Sequence, residues 1–243
     1  MSILQTHNLI KHFDGVHALD GLTIDIERGK ITSIIGPNGS GKTTLVNTLS
    51  GMVETNGGSI VINGAKLNKI KPHEVAFYGV TRTFQDVRLF NQMTVMDNLL
   101  VVLTERNVFG SLFEKHNQYH LKEVEEILNK LGIWEKRNEL AVNLSYGQRK
   151  LLEIGRTLAT KSEIYLFDEP FAGLFPEMVK TIISIMKELK QNGKTIILIE
   201  HNMDLIRELS DHVIVLDVGQ LLAQGRPEEV LSSRSVIEAY LGD

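Results

Sequence analysis

The residues best suited to chemistry form the stretch GPNGSGKT, which runs from Gly36 to Thr43. It matches the pattern G-x-x-x-x-G-K-[ST], in which glycines let successive backbone N–H groups turn toward phosphate oxygens. The lysine of this pattern, here Lys42, reaches the β and γ phosphates, and the hydroxyl of Thr43 ligates Mg²⁺. A short apolar run precedes the stretch and a helical pattern follows it. The sequence therefore predicts a nucleotide-binding loop.

A pair of carboxylates stands at the end of a second apolar run, IYLFDEP. Four mainly apolar residues place Asp168 at the carboxyl end of a buried strand, where open α/β sheets bind ligands. An Asp-Glu pair at a strand end is by itself typical of a solvated turn. In a chain that also has a phosphate loop, Asp168 is predicted to hold Mg²⁺ directly or through water, and Glu169 to orient the water that attacks the γ-phosphate.

A third stretch, NLSYGQRKLLEIGRTLA at 143–159, places a serine and a glycine at the start of a predicted helix. The first N–H groups of a helix lack intrahelical partners and its dipole favours negative charge there, so helix starts bind anions. The hydroxyl of Ser145 is suited to cap this helix. Taken alone, the stretch is equally compatible with a serine-capped structural helix. It leaves open why one chain would need two anion sites.

Hydrophobic periodicity indicates the elements that must position these residues. Strand patterns dominate the first half, helical spacing between residues 94 and 160 predicts an inserted lobe, and alternating strands and helices from 163 predict a parallel sheet covered on both faces. The predicted strands are LTIDI, KITSIIG, the hairpin GGSIVINGAKL, YGVTRTFQ, EIYLFDEP, KTIILIEH and the hairpin HVIVLDVGQLLAQG. The predicted helices are 42–49, TVMDNLLVVLTE, HLKEVEEILNKL, SYGQRKLLEIGRTLA, PEMVKTIISIMKELKQNG, PEEVLSS and SVIEAYLG.

Composition narrows the class of protein. With 42% hydrophobic and 23% charged residues among 243, the chain has an ordinary globular composition. Its formal charge of −4 argues against a protein that binds nucleic acid through counterion release. The absence of cysteine excludes disulfides, thiolate zinc sites and a cysteine nucleophile. The N-terminal stretch turns polar early and no run approaches the roughly 20 apolar residues of a membrane span, so we expect a cytosolic protein.

The motifs, in their order along the chain, resemble those of ATP-binding cassette ATPases. The resemblance rests on GPNGSGKTT, Gln85 in RTFQ, LSYGQ, LFDEP and His201 in LIEH, and it covers essentially the whole chain. It implies an α/β fold with a P-loop NTPase (RecA-like) core, an antiparallel β subdomain and an inserted α-helical subdomain. Residues 1–243 then form a single ABC ATPase domain, with the core and β subdomain at 1–86 and 161–243 and the helical signature subdomain at about 87–160.

The resemblance also implies roles for individual residues. Phe13 matches the aromatic residue that stacks on adenine, Gln85 the residue that joins the Mg²⁺ and water shell, and His201 the switch histidine that contacts the γ-phosphate. The implied catalytic residues are Lys42, Gln85, Glu169 and His201, and the implied Mg²⁺ ligands are Thr43, Gln85 and Asp168. The implied ATP-binding residues are Phe13, Gly36, Pro37, Asn38, Gly39, Ser40, Gly41, Lys42, Thr43, Thr44, Ser145, Gly147 and Gln148.

In that family the two anion sites have one explanation. The signature helix faces away from its own phosphate loop and caps the ATP held by a second cassette, so each nucleotide lies between two protomers. Ser145 would then donate to the γ-phosphate, and Gly147 would permit close approach of the backbone. Because ADP lacks the γ-phosphate, hydrolysis is expected to release the dimer. Tyr146 departs from the commoner glycine, and Phe175 from the usual Asp or Asn.

The closer resemblance is to the ATPases of branched-chain amino acid importers. It is carried by GVTRTFQDVRLFNQMTVMDNLLV, NLSYGQRKLLEIGRTLAT, DEPFAGLFPE and VIEAYLG. It implies integral membrane permease subunits, a second cassette that is either identical or a sister chain, and indirectly a substrate-binding protein, with no nucleic acid. It also implies a peripheral location on the cytoplasmic face of the inner membrane. Related cassettes serve urea or amide uptake and lipopolysaccharide export, and these stay as alternatives for the solute.

Two further alternatives concern the docking surface and the class of protein. Residues 86–98 would dock a cytoplasmic helix of the permease, with Leu89, Phe90 and Met93 as apolar anchors. Each of these three side chains is equally compatible with packing inside the helical lobe. A soluble ATP-gated switch or DNA-repair clamp would use the same ATP sandwich, but the sequence has no coiled-coil insertion and no zinc cysteines.

Overall fold

The structure, a computed structural model, describes residues 1–103 and 118–241 and divides into two compact units. The first unit comprises Met1–Arg82, Ser162–Glu169 and Ile185–Asp243, and the second comprises Thr83–Lys161 and Pro170–Ser184. The α/β fold class is confirmed. The subdomain boundaries near residues 87 and 160 stay a prediction.

The described secondary structure comprises ten strands and eight α-helices. The strands are β1 (Ser2–Phe13), β2 (Val16–Glu27), β3 (Ile31–Ile35), β4 (Gly57–Ile62), β5 (Ala65–Leu67), β6 (Val80–Arg82), β7 (Ile164–Asp168), β8 (Thr195–Ile199), β9 (His212–Asp217) and β10 (Gln220–Gly225). The α-helices are α1 (Lys42–Leu49), α2 (Val95–Leu103), α3 (Gln118–Lys130), α4 (Tyr146–Ala159), α5 (Pro176–Gln191), α6 (Met203–Leu209), α7 (Pro227–Leu231) and α8 (Arg234–Leu241).

A six-stranded sheet in the order β10-β9-β3-β8-β7-β6 forms the centre of the first unit. All neighbouring strands are parallel except β9 and β10, which form an antiparallel hairpin. The strands β3, β7 and β8 are buried at every position, as expected for parallel strands covered on both faces. The predicted parallel sheet is therefore confirmed, and it places the ends of β3, β7 and β8 side by side.

The two faces of this sheet have separate hydrophobic cores. Ile34 lies in the core that includes α1 and the other sheet of this unit. The adjacent Ile35 lies in the opposite core, with residues of α6, α7 and α8. Successive side chains of a strand point to opposite faces, so one short apolar run serves both cores.

A four-stranded antiparallel sheet, in the order β2-β1-β4-β5, completes the first unit. The turn between β1 and β2 consists of Asp14 and Gly15, which both have positive φ as a tight two-residue hairpin requires. The hairpin of β4 and β5 was predicted from the sequence, but β1 was not. Register shifts interrupt the pairing of β1 with β2 in several places, and they break the strict alternation that identifies a strand.

The second unit contains the packed helices α2, α3 and α4. Gly155 lies where they meet, because a Cβ added there would be 2.7 Å from Leu131 Cδ1 and 3.2 Å from Ile127 Cγ2. Glycine thus permits the close approach of these helices. The end of the predicted helix TVMDNLLVVLTE, the rest of the predicted lobe at 104–117 and the last residue of SVIEAYLG lie outside the described residues.

The helices are short or amphipathic. None of those within residues 1–103 and 118–241 combines the length and the apolar character that a membrane-spanning helix needs.

Candidate nucleotide site

The loop between β3 and α1 has the backbone geometry of an anion cradle. Gly36 has φ +150°, and a Cβ added to it would lie 2.1 Å from the carbonyl oxygen of Leu216. Gly41 has φ +99°, and its added Cβ would lie 2.4 Å from the carbonyl oxygen of Ala18. No side chain fits at either position, so both glycines are required for the loop to close as it does.

Lys42 begins α1 and turns its side chain back over the loop. Its Nζ donates hydrogen bonds to the carbonyl oxygens of Gly36, at 2.7 Å, and Pro37, at 2.8 Å. Burial lowers the pKa of Lys42, and the negative charge of Glu169 opposes that shift. A largely buried ammonium gains more from charged phosphate oxygens than from neutral carbonyls. The loop therefore carries a concentrated positive charge where the sequence predicted phosphate binding.

Glu169 and His201 face each other at the ends of neighbouring parallel strands. Glu169 Oε1 lies 2.9 Å from His201 Nε2. Glu169 has φ +46°, a left-handed conformation that costs a non-glycine residue about 1–2 kcal/mol, and its backbone N–H donates to the carbonyl oxygen of Ile199 at 3.0 Å. Backbone strain of this kind concentrates at functional sites. The carboxylate of this strained residue is the one that contacts the histidine.

A buried carboxylate supports the turn that carries His201. Oε1 of Glu200 accepts hydrogen bonds from the backbone N–H groups of His201, at 2.9 Å, and Asn202, at 3.1 Å. The side chain of Asn202 in turn caps α6. These contacts fix the backbone on both sides of the histidine, and sequence reasoning missed Glu200 because its partners are backbone groups.

Asp168 is held by an arginine that sequence reasoning also missed. Arg82 Nη2 donates to Asp168 Oδ2 at 2.8 Å, and both side chains are only 6% exposed. Arg82 Nη1 donates to Asn47 Oδ1 and Ser50 Oγ, both at 2.7 Å. One guanidinium thus connects the end of β7 to the region where α1 ends. The signal in the sequence was an arginine at the end of the short strand β6, in the stretch RTFQ that also contains Gln85.

Arg82→Ala is expected to lower the free energy of unfolding by about 3–5 kcal/mol, because it leaves the buried carboxylate of Asp168 without this guanidinium. Urea denaturation followed by circular dichroism measures the change. The control is Arg28→Ala, which removes a half-exposed ion pair with Glu163 and should change stability by less than about 1 kcal/mol. Equal losses in the two variants would contradict a structural role for the buried pair.

Ser145 caps the start of α4, as the sequence indicated, and the structure shows that it does so in a capping box with Gln148. Ser145 Oγ accepts from the N–H of Gln148 at 3.3 Å, and Gln148 Oε1 accepts from the N–H of Ser145 at 3.1 Å. Ser145 is exposed and Gly147 is buried. A Cβ on Gly147 would lie 2.4 Å from Met178 Sδ, so packing within this unit already accounts for the glycine.

The loop 84–94, which contains Gln85, is held within the second unit by two buried polar side chains. Glu153 of α4 accepts from the N–H groups of Phe84 and Arg88, each at 3.3 Å, and burial raises the pKa of Glu153. Asn98 of α2 accepts from the N–H of Phe90 and donates to its carbonyl oxygen, both at 3.0 Å. Sequence reasoning missed both residues, because a polar residue in a helix gives no sign of its partner.

The predicted docking residues divide by exposure. Phe90 is exposed, and the guanidinium of Arg156 lies 4.8 Å from its ring centroid. Leu89 and Met93 are half-buried. Phe90 is therefore the apolar side chain of this set that the second unit leaves most available to a partner.

Phe13 occupies the last residue pair of the hairpin formed by β1 and β2. Its ring is 43% exposed, and Lys11 Nζ lies 4.6 Å from the ring centroid. The same hairpin contacts the phosphate loop at Ala18. The carbonyl oxygen of Ala18 lies where a side chain on Gly41 would begin. An exposed aromatic face on this hairpin is suited to stacking on a base.

The structure thus brings part of the predicted site together in the first unit. Lys42, Asp168, Glu169 and His201 lie there on the sheet ends and the phosphate loop, and Thr43 and Thr44 follow on α1. Gln85, which is exposed, and Ser145, Gly147 and Gln148 lie in the second unit. The donor set fits ATP with Mg²⁺, since the cradle excludes side chains and the hydroxyl of Thr43 and the carboxylate of Asp168 are the oxygen ligands that Mg²⁺ prefers.

Two family models match the chain. Residues 19–172 match the model described as ABC transporter, and residues 220–243 match the model described as branched-chain amino acid ATP-binding cassette transporter. Among curated proteins, the chain is 37% identical over 252 residues to a probable branched-chain amino acid transport ATP-binding protein of Archaeoglobus fulgidus, covering 100% of this chain and 96% of that protein.

Solved structures of ATP-binding cassettes are also similar to this chain. A nucleotide-free ATP-binding cassette from an ABC transporter has a TM-score of 0.87 and 36% identity, with both chains covered completely. The ADP conformation of an ATP-binding cassette of an ABC transporter has a TM-score of 0.86 and 37% identity, again over both whole chains.

Proposed function

We propose that this chain, which belongs to the ABC transporter family and is an ATP-hydrolysing cassette of such a transporter, powers the import of branched-chain amino acids. The names of its relatives and the match of residues 220–243 support the solute. The observation that supports ATP hydrolysis is the 2.9 Å contact between Glu169 Oε1 and His201 Nε2. The negative charge of Glu169 also acts on Lys42, where it opposes the lowering of the pKa by burial. A base that another side chain orients is the arrangement that hydrolysis requires.

ATP binding would use the phosphate loop and the hairpin of β1 and β2. The glycines of the loop present N–H groups to the phosphates, Lys42 neutralises their charge, and Phe13 stacks on the adenine. Within the first unit, Mg²⁺ would be held by Thr43 and Asp168, and it would neutralise charge that develops on the phosphates. The full set of proposed ATP contacts in one chain is Phe13, Gly36, Pro37, Asn38, Gly39, Ser40, Gly41, Lys42, Thr43 and Thr44.

In the hydrolytic step, the carboxylate of Glu169 at the end of β7 acts as the base and accepts a proton from the attacking water. His201 holds that carboxylate in place and contacts the γ-phosphate. Arg82 keeps Asp168 in a fixed orientation and adds positive charge beneath the site. Each of these side chains is preset by contacts of the folded chain, so little reorganisation is needed at the moment of reaction.

The exposed start of α4 would serve the nucleotide of a second cassette. Ser145, Gly147 and Gln148 cap the ATP bound by a partner cassette, which is either a copy of this chain or a sister chain. Ser145 already orients its hydroxyl through the capping box and can donate its own proton to a phosphate oxygen. Phe175, which is 76% exposed, would contribute apolar contact to the seam between cassettes.

Membrane attachment would come from other chains. Permease subunits would dock on residues 86–98, with Phe90 as the principal anchor and Leu89 and Met93 beside it. A substrate-binding protein would deliver the amino acid to the permease and would not touch this chain. The cassette would then be peripheral on the cytoplasmic face of the inner membrane.

The test is purification of the tagged chain from detergent-solubilised membranes, followed by reconstitution of the complex in liposomes. Mass spectrometry is expected to identify polytopic partners and, where the second cassette is not a copy of this chain, a sister cassette. Proteoliposomes with ATP and the substrate-binding protein of the complex should take up leucine, isoleucine and valine, while the same complex with Glu169→Gln should not. ATP-dependent uptake of urea in place of these amino acids would contradict the solute but retain the ATPase. Recovery without any membrane protein would contradict the transporter role.

A further inference from the structure

A cluster of metal-ligating side chains lies on the hairpin of β1 and β2. His12, His17 and Asp20 each offer one ligand atom, and these atoms all lie within 4.8 Å of one another. The two histidines are cross-strand partners, and their imidazole rings stack with centroids 3.9 Å apart and planes inclined by 27°. None of the three takes part in the nucleotide chemistry described above.

His12 shows an unusual feature for a histidine in a stacked pair. Its Nε2 is buried and has no hydrogen-bond partner among the described residues. The backbone N–H of His12 donates to Asn56 Oδ1 at 2.9 Å, and this hydrogen bond holds the backbone of β1 in place at His12. An unsatisfied buried ring nitrogen is destabilising by about 1–3 kcal/mol, and a metal ion bound at this nitrogen would satisfy it.

Asp20 is oriented toward the same point. Its Oδ1 lies 3.5 Å from His17 Nδ1, and its Oδ2 accepts from Gln220 Nε2 at 2.8 Å. Gln220 thus has the position of the outer residue that orients a ligating carboxylate in many metal sites.

We propose that His12, His17 and Asp20 form a binding site for a divalent cation of the zinc class, with water completing a four-coordinate shell. Two imidazoles and one carboxylate are ligands that Zn²⁺ accepts, whereas Mg²⁺ and Ca²⁺ prefer oxygen ligands alone. The side chain of His17 is 56% exposed, which gives the ion a path from solvent. The bound ion would cross-link β1 to β2 close to the turn at Asp14 and Gly15, and so stabilise the hairpin.

The test uses the metal-stripped chain of residues 1–243 without nucleotide. Isothermal titration with Zn²⁺ is expected to give one site per chain, and Co²⁺ should give the visible absorption of a tetrahedral complex. Millimolar Mg²⁺ should not displace either ion. His12→Gln and His17→Gln should each weaken Zn²⁺ binding by at least about 10- to 100-fold, the loss seen when even an outer residue of a metal site is changed.

Two matched variants make the assignment specific. His7→Gln changes an exposed histidine on the same strand and should leave Zn²⁺ binding unchanged. His201→Gln removes the other histidine that lies against a carboxylate and should also leave it unchanged. No binding by the parent chain, or equal affinity in the parent and in His17→Gln, would overturn the proposal. Loss of binding in His201→Gln alone would assign the ion to Glu169 and His201 instead.

Discussion

Glu169→Gln is expected to lower ATP turnover by about 10²- to 10⁴-fold while leaving ATP binding intact. The amide keeps the shape of the side chain and can still contact His201, but it cannot accept the proton of the attacking water. The variant should therefore form the ATP sandwich without dismantling it. In the presence of ATP and Mg²⁺, size-exclusion chromatography should show a dimer for this variant and predominantly monomer for the parent chain.

The control for this experiment is Glu163→Gln, which changes a half-exposed carboxylate just before β7, the strand that ends at Asp168. It removes one charge, as Glu169→Gln does, but lies at the opposite end of that strand. Its turnover should match that of the parent chain, since exposed ion pairs contribute little. If Glu169→Gln hydrolyses ATP at the parental rate, Glu169 does not have the role of base.

The parts of the fold that the sequence predicted correctly share one property, which is that consecutive residues carry the signal. The runs KITSIIG, EIYLFDEP and KTIILIEH are short and apolar, and each became a buried parallel strand. The loop Gly36–Thr43 was predicted because its backbone conformation requires glycines, and these are visible in the sequence. The strand β1 failed the same test, because its bulges interrupt the alternation that local reasoning depends on.

The candidate site was predictable for residues that act as members of a motif and unpredictable for residues that act through distant contacts. The pair of Arg82 and Asp168 joins positions that are 86 residues apart, and no local pattern relates them. Glu153 and Asn98 bind backbone groups of the loop 84–94, which are the same for every sequence. The positive φ of Glu169 likewise occurs together with a hydrogen bond to the distant residue Ile199, and an acidic residue at a strand end does not indicate it.

Gly147 shows how a correct motif residue can have a second cause. The family pattern assigns this glycine to the approach of a partner's phosphate, whereas the structure places Met178 where a side chain would begin. A variant of Gly147 would disturb packing in its own unit as well as any contact with a partner. Ser145 is exposed and lies in the capping box. A variant of Ser145 therefore tests the contact with a partner with less disturbance of packing in its own unit.

Ser145→Arg is expected to abolish ATP turnover of the dimer, although each chain still binds ATP through its own phosphate loop. The bulky side chain would occupy the space of the partner's γ-phosphate, and loss of the cap should reduce the free energy of unfolding by only about 0.5–2 kcal/mol. Binding of a fluorescent ATP analogue and ATP hydrolysis are measured on the same preparation. Ser232→Arg, which changes an exposed serine of the first unit, is the control and should retain turnover.

Mixing Ser145→Arg with Lys42→Ala tests whether the signature acts on the partner's nucleotide. Lys42→Ala removes the buried ammonium of the loop and should be inactive alone. In a mixed dimer, one composite site has both motifs intact and the other has neither. If the chains pair at random across a two-fold interface, half of the dimers are mixed and each has one working site, so activity should return to about a quarter of the parental value. Two different affinity tags establish that mixed dimers are present, and a mixture that contains them yet stays inactive would contradict the sandwich arrangement.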